Sequence, residues 1–164
     1  MPWALAGVDL GDAVLELGPG LGVTTRLLAA RTKELTAVEV DAALAARLRG
    51  AGLPAVHADA TDLPQADMSF SAVVCFTMLH HLPSAQAQDR LFAEAFRVLR
   101  PDGVFAGSDS TTSLRFRLYH LADTLTPVDP GALPTRLSAA GFRDVHVATA
   151  PGAFRFRATR PPTP

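Results

Sequence analysis

The chain has 164 residues, 48% hydrophobic and 19% charged, with a formal net charge of −1. That is enough for one domain with a buried core, it is not a disordered composition, and without blocks of like charge it makes no strong electrostatic claim on nucleic acid or an anionic surface. A lone cysteine, Cys75, excludes an intrachain disulfide, and with no basic-apolar leader and no apolar run near the roughly 20 residues of a membrane helix, the expectation is a soluble, cytoplasmic chain with no membrane partner.

"DAVLEL" (12–17) is a short apolar run ending in glycines and predicts a buried strand. "VTTRLLAART" (23–32) predicts a helix and "ELTAVEV" (34–40) a second strand. Asp41 is placed to cap the next helix, "AALAARLRG", which Gly50 closes. "PAVHAD" (54–59) and "SAVVCFTML" (71–79) predict strands three and four. Ser84 caps a long helix over about 85–99, where Leu91, Phe92, Ala95, Phe96 and Leu99 share one face. "RPDG" (100–103) ends it with a turn, and "GVFAGSD" (103–109) predicts strand five. A helix over 130–142 precedes two alternating runs, 144–150 and 153–159, joined by Pro151-Gly152 as a hairpin. Strands alternating with helices predict an α/β fold: a doubly wound, mostly parallel sheet with helices on both faces, to which the hairpin adds one antiparallel strand. The expected domain runs over 1–160, and the proline-rich end, 161–164, is expected to fray. Arg155, Arg157 and Arg160 read as a solvated strand face.

The loop after strand one, "LELGPGLG" (15–22), lies where such sheets bind ligands, beyond the carboxyl ends of the strands. Gly18 and Gly20 let backbone approach a ligand closely, since a Cβ would occupy that space. The dinucleotide fingerprint G-x-G-x-x-G requires a third glycine where this chain has Val23, so the pattern here is instead E-x-G-x-G-x-G. Gly22 serves either the ligand or helix packing.

"VLELGPGLG", "LTAVEVD", "HADATDLP", "FSAVVCFTMLHHLP" and "VLRPDGVF", in this order, resemble the class I S-adenosylmethionine-dependent methyltransferases, in particular the ubiquinone-biosynthesis-type branch acting on small molecules. The resemblance covers roughly residues 12–110. It implies a Rossmann-like seven-stranded sheet with an antiparallel last strand, S-adenosylmethionine as cofactor with S-adenosylhomocysteine as product, and a small-molecule methyl acceptor. Glu16 then takes the place of the acid near the methionine amino group, and Gly18, Gly20 and Gly22 form the turn. Glu39 stands where a carboxylate accepts from both ribose hydroxyls. Asp59 matches the acid that receives the adenine amino group, Ala60 the backbone N–H beside it, and Phe76 the strand end whose main chain meets the methionine part. Asp41 reads as a helix cap.

Methyl transfer from a sulfonium needs an acceptor lone pair held in line, and a base only if the acceptor must lose a proton. His80 and His81 in "LHHLP", and His120 with Asp123 in "YHLAD", are the candidates, each with a structural alternative as a helix-start or amphipathic-helix residue. None has metal-ligand spacing backed by further ligands, so no metal is expected. The segment 111–126, with Phe116, Tyr119 and Leu121 beside Arg115, Arg117 and His120, reads either as a lid over the acceptor or as a helix packed on the sheet edge. Ser71 replaces the family's usual Asp at a position away from the pocket. Few residues precede strand one where relatives carry covering helices, which suggests an open site, a partner's cover or truncation, and leaves a homodimer open. No Asn/Asp-Pro-Pro-Tyr tetrapeptide and no broad basic face point to nucleic acid, so no nucleic-acid partner is expected. Cys75, without a preceding proline, reads as a small buried apolar residue. Two other classes stay open: a cofactor-binding protein without transferase activity, and a nucleotide-binding oxidoreductase, which Val23 disfavours.

Overall fold

The computed structural model describes residues 3–111 and 126–162. Seven strands form one sheet in the order β3-β2-β1-β4-β5-β7-β6. They are β1 (Ala13–Leu17), β2 (Glu34–Glu39), β3 (Ala55–His57), β4 (Phe70–Phe76), β5 (Leu99–Ser110), β6 (Arg143–Ala150) and β7 (Ala153–Thr159). β1 to β5 pair in parallel, while β7 runs antiparallel to both β5 and β6. This is the Rossmann-like, doubly wound α/β sheet expected, with its single reversed strand. Strand order reverses between β1 and β4, so the crevice at their carboxyl ends is the topological switch point.

Each face of the sheet carries its own apolar layer, as period-two alternation requires. Leu15, Leu17, Val73 and Cys75 pack into the larger layer with Leu91, Phe92, Leu133 and Phe156. Val14, Ala72 and Val74 pack on the other face with Leu28. β1 is therefore buried at every position. Helix α3 (Ala85–Val98) starts at Ser84, whose hydroxyl accepts from the Ala87 N–H. Its buried face holds Leu91, Phe92, Ala95 and Val98. Helix α4 (Leu133–Ala139) buries Leu133 and Leu137.

Helix α1 (Val23–Ala29) begins at Gly22, and helix α2 (Ala42–Gly50) at Asp41. The Asp41 carboxylate accepts from the Ala43 and Leu44 N–H groups at 2.8 and 2.9 Å, the capping role expected of it. Ser71 holds the entry to β1: its hydroxyl accepts from the Ala13 N–H at 3.0 Å and lies 2.7 Å from the Leu10 carbonyl. A Cβ on Gly11 would come within 2.6 Å of the Ser71 Cβ, so the two chain segments touch there.

Four local expectations are corrected. Residues 77–79 do not extend β4, because Thr77 turns left-handed at φ 51° and the chain enters a short 3-10 turn, Leu79–His81. "RPDG" does not separate helix from strand. Leu99 already pairs with Phe70, and Asp102, at φ 62°, bulges the strand before pairing resumes at Val104. The helix over 130–142 is shorter, Leu133–Ala139. Arg160 is not a solvated residue: its guanidinium donates to the carbonyls of Phe96, Arg97 and Leu99 at 2.7–3.0 Å and lies over the Phe96 ring. It caps the end of α3, where orphan carbonyls favour a cation.

Asp41→Ala is expected to lower the unfolding free energy by about 1 kcal/mol through the lost cap. Ser71→Ala is expected to lower it by about 1–3 kcal/mol, since it strands the Ala13 N–H at a part-buried joint. Urea denaturation of each variant measures both.

Candidate functional site

Backbone hydrogen bonds knit the carboxyl ends of the strands together. The Gly18 N–H donates to the Val38 carbonyl at 2.9 Å, joining the ends of β1 and β2. The Ala58 N–H donates to the Glu39 carbonyl at 3.1 Å, joining β3 to β2. The Thr77 N–H donates to the Ser108 carbonyl at 2.8 Å, joining β4 to β5.

The three glycines do different things. Gly18, Gly20 and Gly22 all sit at positive φ. A Cβ at Gly18 would come within 2.9 Å of Met78, so this close approach is to the chain after β4. At Gly22 it would come within 2.4 Å of Leu48 and 3.1 Å of Leu53, so this glycine lets the start of α1 pack on α2 and the turn that follows it. Only at Gly20 is the space open. Gly20 is thus the position where a ligand could approach the backbone.

Glu39 ends β2 and is buried. Its two oxygens accept from the Gly20 N–H at 2.9 Å and the Asp41 N–H at 3.0 Å. A carboxylate has about four lone-pair sites, so two remain for hydroxyl donors. Exposed Leu21 and Val40 stand next to these groups in the chain.

Glu16 follows from the alternation of β1, which turns it to the same face as Val14, towards α1. It is buried, at 1% exposure. Oε1 accepts from the Thr24 hydroxyl, while Oε2 has no hydrogen-bond partner among the described residues. Burial pushes its carboxyl above the ordinary value of 4.5, against the pull of the Thr24 hydrogen bond. A buried carboxylate oxygen without a donor is costly, and a cationic or N–H donor would relieve it.

Asp59 is exposed and its carboxylate accepts from the Thr61 N–H at 2.8 Å, a local turn that leaves further lone pairs. Ala60 is buried in the larger apolar layer, and Phe76 is half-buried at the end of β4. Cys75 is fully buried, and desolvation, with the Asp109 and Glu16 carboxylates adding to it, pushes its thiol well up, as suits an inert core residue.

Beyond β4 the turn brings His80 against the end of β5. His80 is buried at 4% exposure and its Nδ1 lies 2.5 Å from Oδ1 of Asp109, itself at 1%. The His80 and His81 rings lie 4.1 Å apart, with His81 exposed. His120 and Asp123 lie outside the described residues, as does most of segment 111–126. Among the described residues no group of three or more His, Cys, Asp or Glu side chains is placed to hold a metal, and no helix is long and apolar enough to cross a membrane. Asp109, Thr24 and Met78 are the residues that sequence reasoning missed. Asp109 closes an apolar strand run, the one signal that could have marked it.

The antiparallel β7 inserted between β5 and β6 defines the Rossmann-like fold of methyltransferases. A solved S-adenosylmethionine-dependent methyltransferase from Methanosarcina mazei superposes with a TM-score of 0.80 over 99% of each chain, at 18% identity. Residues 15–107, more than half of the chain, match the family model of a methyltransferase domain, and the chain belongs to that family. A probable S-adenosylmethionine-dependent methyltransferase from Mycolicibacterium smegmatis is 38% identical over 98 residues, 58% of this chain and 37% of the relative. A ribosomal RNA small subunit methyltransferase A from Opitutus terrae is 39% identical over 90 residues, 51% of this chain and 32% of the relative. The chain thus spans about a third of the length of the curated relatives it matches. These relatives single out no branch of the family, the ubiquinone-type one included.

The raised Glu16 carboxyl has a consequence for stability. The folded chain holds the Glu16 proton at pH values where the unfolded chain has lost it, so this group's contribution declines as pH rises from about 4.5 through the raised folded value. Glu16→Gln removes that decline. Denaturant titration without ligand, between about pH 4 and pH 8, is expected to show the stability difference moving in favour of the Gln variant as pH rises.

Proposed function

We propose that this chain is a methyltransferase that moves a methyl group from S-adenosylmethionine to a small molecule. The observation that carries the reading is the Glu39 carboxylate: it is tied to the open Gly20 backbone at the switch point and retains lone pairs for two hydroxyls. The residues present fit the cofactor. Glu39 would take the ribose hydroxyls, and the bare Oε2 of Glu16 suits the cationic amino group of the methionine part, directly or through water. Leu21 and Val40 offer apolar surface beside Glu39 for a flat base, with Asp59 and the Ala60 N–H for its polar edge. The Gly18–Gly22 turn and the Phe76 main chain would frame the remainder. The bound donor supplies an electrophilic methyl group, and the protein's task is to orient an acceptor and exclude water.

A small-molecule acceptor is supported by the end of β4, which reads Phe76-Thr77-Met78-Leu79 rather than the tetrapeptide for amino groups of bases, and by the near-neutral charge. The likeness to ribosomal RNA methyltransferases favours RNA as a second reading. Of the histidine candidates, His80 is buried with its Nδ1 against Asp109, as a residue that shapes the end of β4. His81 and His120 are proposed only as acceptor-side residues.

Calorimetry is expected to show binding of S-adenosylmethionine and S-adenosylhomocysteine and no binding of NAD. Glu39→Ala is expected to weaken S-adenosylhomocysteine binding by about 2–4 kcal/mol, since the lost bonds are charge-assisted and multiple, whereas Asp41→Ala leaves it nearly unchanged. Equal losses at both positions, or binding of NAD alone, would overturn the assignment. Salt-sensitive binding of a ribosomal RNA fragment, absent for small acceptors, would favour the second reading.

A further inference from the structure

We propose that Glu94 and Arg97, in the last turns of α3, are positioning residues for base recognition. By clamping Leu63 they hold Asp59 and the Ala60 N–H in place for an amino-bearing base edge. This deepens the methyl-transfer reading above and rests on it.

Residues 58–69, between β3 and β4, form no helix or strand, so their backbone groups need partners from elsewhere. One end is tied by the Ala58 N–H, which donates to the Glu39 carbonyl at 3.1 Å. The other end is tied by α3. The Leu63 N–H donates to Oε2 of Glu94 at 2.8 Å, and the Leu63 carbonyl accepts from Nη2 of Arg97 at 2.9 Å. The helix pair thus satisfies both backbone groups of one loop residue, as a neighbouring strand would. Nη1 of Arg97 donates further to the Gln65 carbonyl at 2.9 Å and to the Asp67 carboxylate at 2.6 Å. Nε and Nη2 donate to the two Glu94 oxygens at 2.8 and 2.7 Å, a bidentate pair. The guanidinium holds the Glu94 carboxyl below its ordinary value of 4.5, so the pair is ionised at neutral pH. The Arg97 carbonyl also accepts from the Met68 N–H at 3.1 Å.

Between the two ties lie Asp59, Ala60, Thr61 and Asp62. The Asp59 carboxylate takes the Thr61 N–H at 2.8 Å, and its carbonyl takes the Asp62 N–H at 3.1 Å. The Ala60 N–H makes no hydrogen bond among the described residues. A carboxylate with spare lone pairs next to a free N–H suits an amino group next to a ring nitrogen. The buried Ala60 and Leu63 side chains keep the loop on the core. Apolar packing is non-directional, however, so the directional bonds of Glu94 and Arg97 set where along the core the loop sits. A base edge with a carbonyl in place of the amino group would set lone pairs against the Asp59 carboxylate, and a loop held in place rejects it.

The test uses the whole chain and two probes: S-adenosylhomocysteine, and S-inosylhomocysteine, in which a carbonyl replaces the amino group. By calorimetry the parent is expected to prefer the amino compound by about tenfold or more. Arg97→Met and Glu94→Gln are each expected to narrow that ratio by about threefold or more, since a loosened loop discriminates less. Arg97→Lys keeps the charge but cannot bridge the same carbonyls, and is expected to fall between Met and the parent. Arg100→Met, which breaks the exposed pair with Asp12, serves as the control and is expected to keep the parental ratio. Hydrogen exchange of the ligand-free chain over residues 59–63 is expected to quicken in Glu94→Gln and Arg97→Met. Variants that lose stability but keep the parental ratio overturn the positioning role, because a merely structural pair would do just that. So does an Arg100→Met variant that narrows the ratio as much, unchanged hydrogen exchange, or a parent that binds both probes equally. A parent that binds neither probe overturns the methyl-transfer reading and the base-recognition role with it, while hydrogen exchange still decides whether the pair holds the loop.

Discussion

The Gly18–Gly22 turn closes on itself through one hydrogen bond, from the Gly22 N–H to the Pro19 carbonyl, but its three glycines are left-handed and its place at the sheet edge must be imposed from outside. The Glu39 carboxylate imposes it, with one oxygen on the Gly20 N–H and the other on the Asp41 N–H. One buried group thereby ties the glycine turn to the end of β2 and to the start of α2. Charge-assisted bonds to backbone N–H groups are strong where water is largely excluded, and Glu39 is only 6% exposed. Any ligand that draws on the remaining lone pairs of Glu39 meets a group already oriented, with little further ordering to lose on binding.

The other half of the edge is built differently. Around β1 and β2 the backbone is held by a carboxylate and glycines. Around β4 and β5 it is held by Asp109, by the Gln88 amide and by Thr126. Arg136 in turn donates to the Gln88 carbonyl oxygen at 2.8 Å, which leaves the Gln88 amide nitrogen to the Leu79 and Thr126 carbonyls. The two halves meet where Met78 lies against Gly18.

Among the described residues three acids are buried: Glu16, Glu39 and Asp109. Burying carboxylates in a small domain is costly unless donors compensate. Glu39 and Asp109 have their donors from the backbone. Glu16 accepts from the Thr24 hydroxyl while its Oε2 has no donor among the described residues, and burial raises its carboxyl against the pull of Thr24 and Thr25. A site that leaves one carboxylate short of donors is less stable empty than it could be, and a cationic ligand would repair the shortfall. That is the common trade between stability and function at binding sites.

Much of the fold was legible in the sequence because its signals are local. β1 reads as a strand because it is a short, largely apolar run closed by glycines, and α3 as a helix because its apolar residues recur on one face. The Asp41 and Ser84 caps follow from residue type and position alone. The E-x-G-x-G-x-G spacing and the acids at 39 and 59 could likewise be read off, because strand ends and turns place them. What the sequence could not determine were the long-range pairings. That Gly18 makes room for Met78 and Gly22 for Leu48, that Arg160 returns to cap α3, and that Asp109 reaches across to His80, 29 residues away, are consequences of packing. Periodicity and turn chemistry act over a few residues. Which buried donor meets which acceptor is decided only when the strands have registered and the sheet has closed over its core.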